Sequence, residues 1–546
     1  METKTNRSHR RSVEPMRTQG AAANAAAFES GASRYLPFRT SPRIFAAMAI
    51  AVTGLIFFAG NCAVGPDYEP PVVELPQTWG WKKASPADNL DPGQWWKIFN
   101  DPDLNTLQEL TIASSPDLRM AVARLDQVRA LAGLSTSQYW PTINANAQVL
   151  RHRTSPNVAY ASPLPLDIPA LEAADRYAFL DLSYELDVFG RVRRQNEATD
   201  ARVAASEADF RTVLIGLSAQ VSGLYFQLRS EDAEVAALAE AVENRRIGLN
   251  IFKARYANGV IDELDLSRAK TEYSTALSTL EDAKRRREQT ENQLAILCGQ
   301  FPQNFKVRKS GFQGSPPELT VGLPSTLLER RPDVAAAERR LAAANADIGV
   351  AKAAFFPSLS LTADAGLRSE KLSELLRWDS RAWSYGAGVR IPIFDAGSNQ
   401  ARLDASRAAH MEAQANYEKT VLGAFQEVDD ALSALQYLRS QELAQQDALQ
   451  SSRRASELAR IKYRAGAASY LDVIEADRSR LQNEIASIRI REARYLATIR
   501  LIKALGGGWQ MEGPKVQKDD STSDESTLEN ANSGEDAEPE GENSAR

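Results

Sequence analysis

The chain reads as a mainly α protein with a membrane β-barrel part: internally duplicated long helical hairpins forming an α-barrel, with four β-strands per protomer contributing to a shared barrel. Three observations predict this. Residues Leu171 to Phe301 and Ile393 to Gly513 contain no proline although the sequence has 25, so each stretch accommodates helices too long for an ordinary globular domain. The two stretches are also copies. Tyr256-Ala257-Asn258-Gly259 followed by Leu264-Asp265-Leu266 returns as Tyr463-Arg464-Ala465-Gly466 followed by Leu471-Asp472-Val473, an offset of 207 residues (463 − 256). Between the helical stretches the hydrophobic period shortens to two, the mark of strands with one apolar and one polar face.

Composition removes other classes. A net charge of −6 and a pI near 5.6 leave no basic footprint for nucleic acid. The histidines His9, His152 and His410 are scattered without metal-ligand spacing, and no Ser/His/Asp or Cys/His set or phosphate loop appears, so neither a metal nor a cofactor nor an enzymatic activity is expected. Cys298 closes a helix as a small buried residue, while Cys62 directly follows the leader and has another role.

In chain order, residues 1–61 form a leader. Arg43 precedes an apolar run from Ile44 to Gly60, and Cys62 follows. The run Gly65-Pro66-Asp67-Tyr68-Glu69-Pro70-Pro71 predicts an extended tether rather than a packed element, within a segment spanning 62–102. The first repeat, 103–300, opens with helices at Asp103 to Ser114 and Pro116 to Gln138, the second started by its proline and stopped by Pro141. Ile143, Ala145, Ala147 and Val149 then alternate with polar residues. After a proline-rich loop at 151–176, Ala178, Leu180, Leu182, Tyr184 and Leu186 alternate with Phe179, Asp181, Ser183, Glu185 and Asp187. Aromatics at the strand ends, Tyr139, Trp140 and Phe189, fit the interface girdles of membrane barrels. From Arg191 to Ala257 nothing stops a helix of roughly 100 Å at 1.5 Å per residue. Leu214, Leu217, Val221, Leu224 and Leu228 step along it at coiled-coil spacing, and Asn258-Gly259 ends it. A return helix runs from Asp262 to about Ile296.

A connector at 301–324, broken by Pro302, Gly311, Gly314 and Pro316-Pro317, leads to the second repeat at 325–512. Pro332 and Pro357 stand 216 residues after Pro116 and Pro141, a duplicated start and a duplicated stop. Strands follow at Ser358 to Leu367 and Ser384 to Ile393, with Trp378 and Trp383 bracketing the second. Helices follow from Ser398 to about Ala465 and from Tyr470 to Leu505. Residues 513–546 are acidic and almost free of aliphatics, which predicts disorder.

Several motifs in order resemble those of the outer-membrane factors of tripartite efflux pumps, the TolC/OprM family in its NodT-like lipoprotein branch: a cysteine shortly before Val64-Gly65-Pro66-Asp67-Tyr68, the Asp187-Val188-Phe189-Gly190-Arg191 turn, and Phe394-Asp395-Ala396-Gly397. The resemblance covers about residues 62–512. It implies an outer-membrane channel, a passive conduit from periplasm to exterior that is lipid-anchored in the cell outer membrane. The channel would be a homotrimer with a 12-stranded barrel and a periplasmic helical tunnel, working with a periplasmic adaptor and an inner-membrane pump. By resemblance to a lipobox, Cys62 is the lipidation site, although Asn61 stands where a small residue is usual. The hairpin tips Tyr256, Gly259, Leu264, Asp265, Gly466 and Leu471 would dock the adaptor. Asp472, Glu475 and Tyr463 would form the periplasmic gate, with Ala468 standing where some relatives have an arginine.

Two readings of some residues stay open at this stage. Asp265 and Asp472 sit where either would cap a returning helix. Asp181, Glu185, Asp187 and Asp364, in the lumen of the barrel, either favour cations or only hydrate the wall. A periplasmic coiled-coil adaptor lipoprotein is the alternative to a channel. It would carry one hairpin between two halves of a small β domain, whereas two hairpins here alternate with two pairs of strands.

Overall fold

A computed structural model describes residues 63–71, 94–153, 155, 172–317 and 330–507. The leader, Cys62, most of the 151–176 loop, the later part of the connector and the acidic tail lie outside the described residues.

A 3-10 turn at Trp95–Phe99 precedes helices α1 (Pro102–Ser114) and α2 (Pro116–Thr136), each with proline in its first turn. Strands β1 (Thr142–Arg153) and β2 (Glu172–Leu186) follow, then α3 (Arg191–Ala257) and α4 (Glu263–Leu297). The second repeat supplies α5 (Pro332–Ala353), β3 (Ser358–Ser369), β4 (Arg381–Arg390), α6 (Ser398–Arg464) and α7 (Tyr470–Ala504). The duplication is dimensional as well as sequential: α3 and α6 both have 67 residues, and α4 and α7 both have 35.

The strands form one antiparallel sheet in the order β1-β2-β3-β4, so β2 and β3 join the repeats while β1 and β4 are left at the edges. Its register separates two faces. Ile143, Leu182, Ala363 and Tyr385 make one apolar row and Ala145, Leu180, Ala365 and Trp383 the next; Asn144, Asp181, Asp364 and Ser384 lie in a row on the opposite face. The helices repeat the strand order, with α2 against α3, α3 against α5, and α5 against α6. α2 and α6 therefore stand at the same two flanks as β1 and β4.

Several strand limits differ from the sequence expectation. β2 begins at Glu172 because Glu172 to Arg176 still pair with Val149 to Arg153, where alternation alone had suggested loop. β4 ends at Arg390 rather than Ile393, since Pro392 has no N–H to give a ladder. Trp383 lies inside β4 instead of before it. Phe189 stacks on Phe356 at 4.9 Å within the strand-to-helix junction.

An aromatic core midway along the helices holds the connector. Tyr495 of α7 stacks on Phe226 of α3 at 4.1 Å and on Phe312 at 5.3 Å, and Phe99 packs on Phe226 at 4.9 Å. Charges buried beside it pair with one another. Arg229 bonds Asp103 at 3.0 Å and Asp232 at 3.2 Å; Arg287 bonds Asp232 and Glu291, both at 2.9 Å; and Glu291 accepts the Val307 N–H at 2.9 Å. Nothing in the hydrophobic pattern announces this network, although breaking such a pair by removing one partner costs about 3–5 kcal/mol.

The tether is extended, as its prolines require, but it is also packed. Val64 N–H donates to the Phe189 carbonyl at 3.1 Å, Asp67 pairs with Arg194 at 2.6 Å, and Tyr68 Oη donates to Glu338 at 2.6 Å. Gly65 sits at φ +123°, where a Cβ would fall 2.6 Å from the Gly349 Cα. The Val-Gly-Pro-Asp-Tyr run is thus a strap across α3 and α5, correcting the expectation of an unpacked tether. Cys298 is buried, with its sulfur 3.2 Å from Thr111 Oγ1.

Candidate functional site

The two hairpin turns close identically. At the end of α3, Gly259 adopts φ +69° and the Val260 N–H returns to the Arg255 carbonyl at 2.9 Å; at the end of α6, Gly466 adopts φ +71° and the Ala467 N–H returns to the Lys462 carbonyl at 2.9 Å. Of the two aspartates expected to cap the returning helices, Asp472 takes part in the cap and Asp265 does not. Asp262 is the N-cap of α4 and accepts the Asp265 N–H at 2.9 Å, so Asp265 is a first-turn residue and not the cap. Ser469 caps α7, and Asp472 completes a reciprocal box by accepting the Ser469 N–H at 2.8 Å. Hydrogen bonds from the Ser469 hydroxyl and backbone hold the Asp472 carboxyl below its ordinary range. Tyr256, Leu264 and Leu471 are each about half exposed, which leaves apolar side chains beside both turns.

The second hairpin is tied to the first near these turns. Arg255 Nη1 donates to Tyr463 Oη at 2.9 Å, and Phe252 packs on Tyr470 with ring centroids 4.3 Å apart. Burial pushes the Tyr470 phenol above its usual value, with Tyr463 adding to the effect. Further along, Arg478 bonds Glu272, Arg480 pairs with Glu240 at 3.3 Å, and Arg489 pairs with Glu234 at 3.1 Å. In each of these three pairs α7 supplies the arginine and the first hairpin the glutamate. A cavity of about 250 Å³ between α3, α6 and α7 is lined by Arg245, Arg460, Arg464, Tyr470 and Asp477, with Arg460 bonded to Asp477 at 2.9 Å. Glu475 lies one turn beyond Asp472 on α7 and is exposed.

Sequence reasoning named Tyr463 but missed Arg255. A tyrosine-arginine contact was sought at Ala468, within the same hairpin, while the arginine that meets Tyr463 comes from the other one. The single available signal was a basic residue in the last turn of α3.

On the polar face of the sheet, Asp181 and Asp364 are directly opposed across β2 and β3. Like charges in that position repel, and each is met by donors on its other side: Asn144 Nδ2 reaches Asp181 at 3.0 Å, Asn146 also donates to it, and Ser384 Oγ donates to Asp364. Glu185, nearer the helices, is clamped by Arg191 through two bonds of 2.9 Å. Asp187 departs from the expected set. It follows the end of β2, and its carboxylate accepts the N–H groups of Val192 at 3.0 Å and Arg193 at 2.8 Å, so it belongs to the start of α3 rather than to the sheet wall. Among the described residues no group of three His, Cys, Asp or Glu is arranged to hold a metal ion.

Comparison with known proteins matches these features to one family. The family model described as "Outer membrane efflux protein" matches residues 107–300 and 323–507. The probable efflux pump outer membrane protein TtgC of Pseudomonas putida is 33% identical over 469 residues, covering 85% of this chain and 95% of that protein. The cation efflux system protein CusC of Escherichia coli O6:H1 is 33% identical over 471 residues, covering 85% and 98%. The crystal structure of the Campylobacter jejuni CmeC outer membrane channel superposes with a TM-score of 0.76 at 27% identity, covering 83% of this chain and 96% of that one.

Proposed function

We propose, from the premise that this chain belongs to the outer membrane efflux protein family and is an outer-membrane efflux channel, that it works as a homotrimer whose pooled strands close a barrel and whose pooled helices close a tunnel. The observation that carries this is the coincidence of two deficits. Among the described residues β1 and β4 are unpaired edges, and the helices on those same flanks leave apolar side chains uncovered: Leu131 and Leu134 of α2 are 53% and 66% exposed, and Met411 and Leu422 of α6 are 63% and 69% exposed. Lipid satisfies no edge N–H or C=O, and closed barrels need about eight strands or more. A neighbouring copy that pairs its β1 with this β4 brings its α2 against this α6 in the same operation. Three copies of four strands give a barrel of twelve.

In this assembly the apolar sheet face meets lipid and the polar face lines water. Asp181 and Asp364 are then repeated around the lumen as a ring whose charge favours cations, with Glu185 held back by Arg191. The hairpin ends lie in the periplasm. Asp472 and Glu475 of three α7 helices converge as acidic rings that narrow the entrance, and the links from Arg255 to Tyr463 and from Arg478 to Glu272 keep the second hairpin seated on the first, the closed state. The tips at Tyr256, Gly259, Leu264, Asp265, Gly466 and Leu471 take the periplasmic adaptor, which joins the channel to an inner-membrane pump. Cys62 carries the lipid anchor, and the packed strap that follows it fixes that anchor to the strand-to-helix junction. The channel performs no reaction; its cargo is set by the pump.

The test is assembly. Protein extracted from outer membranes in detergent is expected to run as heat-resistant trimers and to form channels in planar bilayers. A water-soluble monomer that needs no detergent overturns the reading.

A further inference from the structure

The sheet's apolar face ends in arginine. In register, the row of Ala147, Ala178 and Leu367 is completed by Arg381; the next holds Val149 and Arg176; the two beyond pair Arg151 with Ala174 and Arg153 with Glu172. All four arginines therefore share the face of Leu180, Leu182 and Trp383, and all lie toward the end remote from the helices. Glu172 is the one acidic strand residue among these rows, and it pairs with Arg151 at 3.0 Å. Arg153 has no ion-pair partner among the described residues. The opposite face handles its charge differently: Arg368 is neutralised by Asp175 through bonds of 2.9 and 2.6 Å.

Cations facing hydrocarbon are costly at mid-membrane and tolerated only near the interface, where an anion can meet them. The nearby loop supplies apolar neighbours. Leu376 and Trp378 are 87% and 72% exposed, and the Arg381 guanidinium lies 3.3 Å over the Trp378 ring while its Nε donates to the Trp378 carbonyl. Every cation in the set is arginine, whose planar fork matches a phosphate with two parallel bonds.

We propose that Arg151, Arg153, Arg176 and Arg381 form a docking surface for the phosphates of lipid A, the acylated disaccharide bisphosphate of the outer leaflet, with its chains lying on the apolar rows below and against Leu376 and Trp378. This rests on the reading that the sheet spans the outer membrane. The surface is continuous with the lipid-facing wall, stands at the end away from the periplasmic helices, and carries an excess of positive charge.

The experiment uses the full chain, purified as a trimer and reconstituted in phosphatidylcholine nanodiscs containing either lipid A or its fully dephosphorylated analogue, with bound lipid counted by native mass spectrometry. At about fivefold per arginine near an anionic lipid, the wild type should retain lipid A at least tenfold better than the analogue. The R151Q/R153Q/R176Q/R381Q variant should lose that preference, and the corresponding lysine variant should keep part of it. Heat-resistant trimers in the disc show separately that the barrel has formed, and should the glutamine variant fail to insert, the wild-type comparison of the two lipids decides. Equal retention of both lipids by an inserted wild-type trimer overturns the docking surface and leaves the channel reading standing. Failure of the wild type to insert overturns both.

Discussion

The links between the hairpins give a measurable prediction for gating. Replacing Tyr463 by Phe removes the acceptor of the 2.9 Å bond from Arg255, and replacing Arg478 by Gln removes the ion pair with Glu272. The Arg255–Tyr463 contact is exposed, and Arg478 is 54% exposed against 12% for Glu272; taking each link at the level of an exposed pair gives about 0.5 kcal/mol. Two such links in three copies that open together total about 3 kcal/mol, and at 1.4 kcal/mol per tenfold the closed-to-open ratio falls by about a hundredfold. Each single variant should produce roughly the square root of that effect, about tenfold. Open probability of single channels in planar bilayers reads this directly, with trimers verified on a gel beforehand. High salt screens the Arg478–Glu272 pair and should move the wild type toward the double variant. A trimeric double variant with wild-type open probability at every salt concentration would refute the assignment of these contacts to the closed state.

Removing the acidic rings with Asp472→Ala and Glu475→Ala should raise single-channel conductance by loosening the entrance; unchanged conductance in a trimeric double variant excludes these residues from the gate. Gly259→Val and Gly466→Val place a β-branched residue at φ +69° and +71°, a cost of about 1–2 kcal/mol each, and should weaken crosslinking to the adaptor while trimers persist. Wild-type crosslinking yield would leave both turns a structural role only. Glu231 and Glu492 should make stability pH-dependent. Burial raises both carboxyls above their ordinary value of 4.5, so the folded chain retains protons that the unfolded chain has released. Their contribution is fully present below the unfolded value and is lost as pH rises through the folded one. Glutamine at either site should flatten that decline between acidic and neutral melts, and an unaltered slope would count against it.

Most of the fold was legible because its signals are periodic and duplicated. Arg191–Ala257 was bounded to the residue, since Gly190 and Asn258-Gly259 punctuate an uninterrupted 67-residue run. The strand faces followed from alternation and survive in the register, as the shared row of Asn144, Asp181, Asp364 and Ser384 demonstrates. What escaped depends on pairing between distant segments. The early start of β2 is set by its partner β1 and not by its own pattern. Asp265 and Asp187 were misjudged for a common reason: a carboxylate near a helix start has several N–H groups within reach, and which it takes is fixed by turn geometry of one or two residues. The strap at Gly65 was read from proline content, which reports extension and says nothing of the Gly349 backbone waiting across from it.

The uneven burial of the duplicated helices is the last clue to assembly. α3 buries 26 residues, whereas α6, of equal length and shared ancestry, buries ten. Equivalent sequences imply equivalent surroundings, and the difference lies in neighbours: α3 is flanked by α2 and α5, while α6 has α5 on one side and, among the described residues, no helix in the place of α2. In the proposed trimer the α2 helix of a second copy fills that place. A charge at Leu422 should therefore damage assembly before it damages the protomer. Burying a leucine contributes about 1.5–3 kcal/mol, so Leu422→Glu forfeits that at each of three interfaces and adds the penalty of an unpaired buried carboxylate. The expected result is loss of heat-resistant trimers, with helicity by circular dichroism retained because the side chain is 69% exposed in the single chain. Leu422→Met, which preserves volume, should assemble normally. A Leu422→Glu trimer as heat-resistant as the wild type would mean that this face of α6 meets solvent in the channel, and the neighbour would have to be sought on another surface.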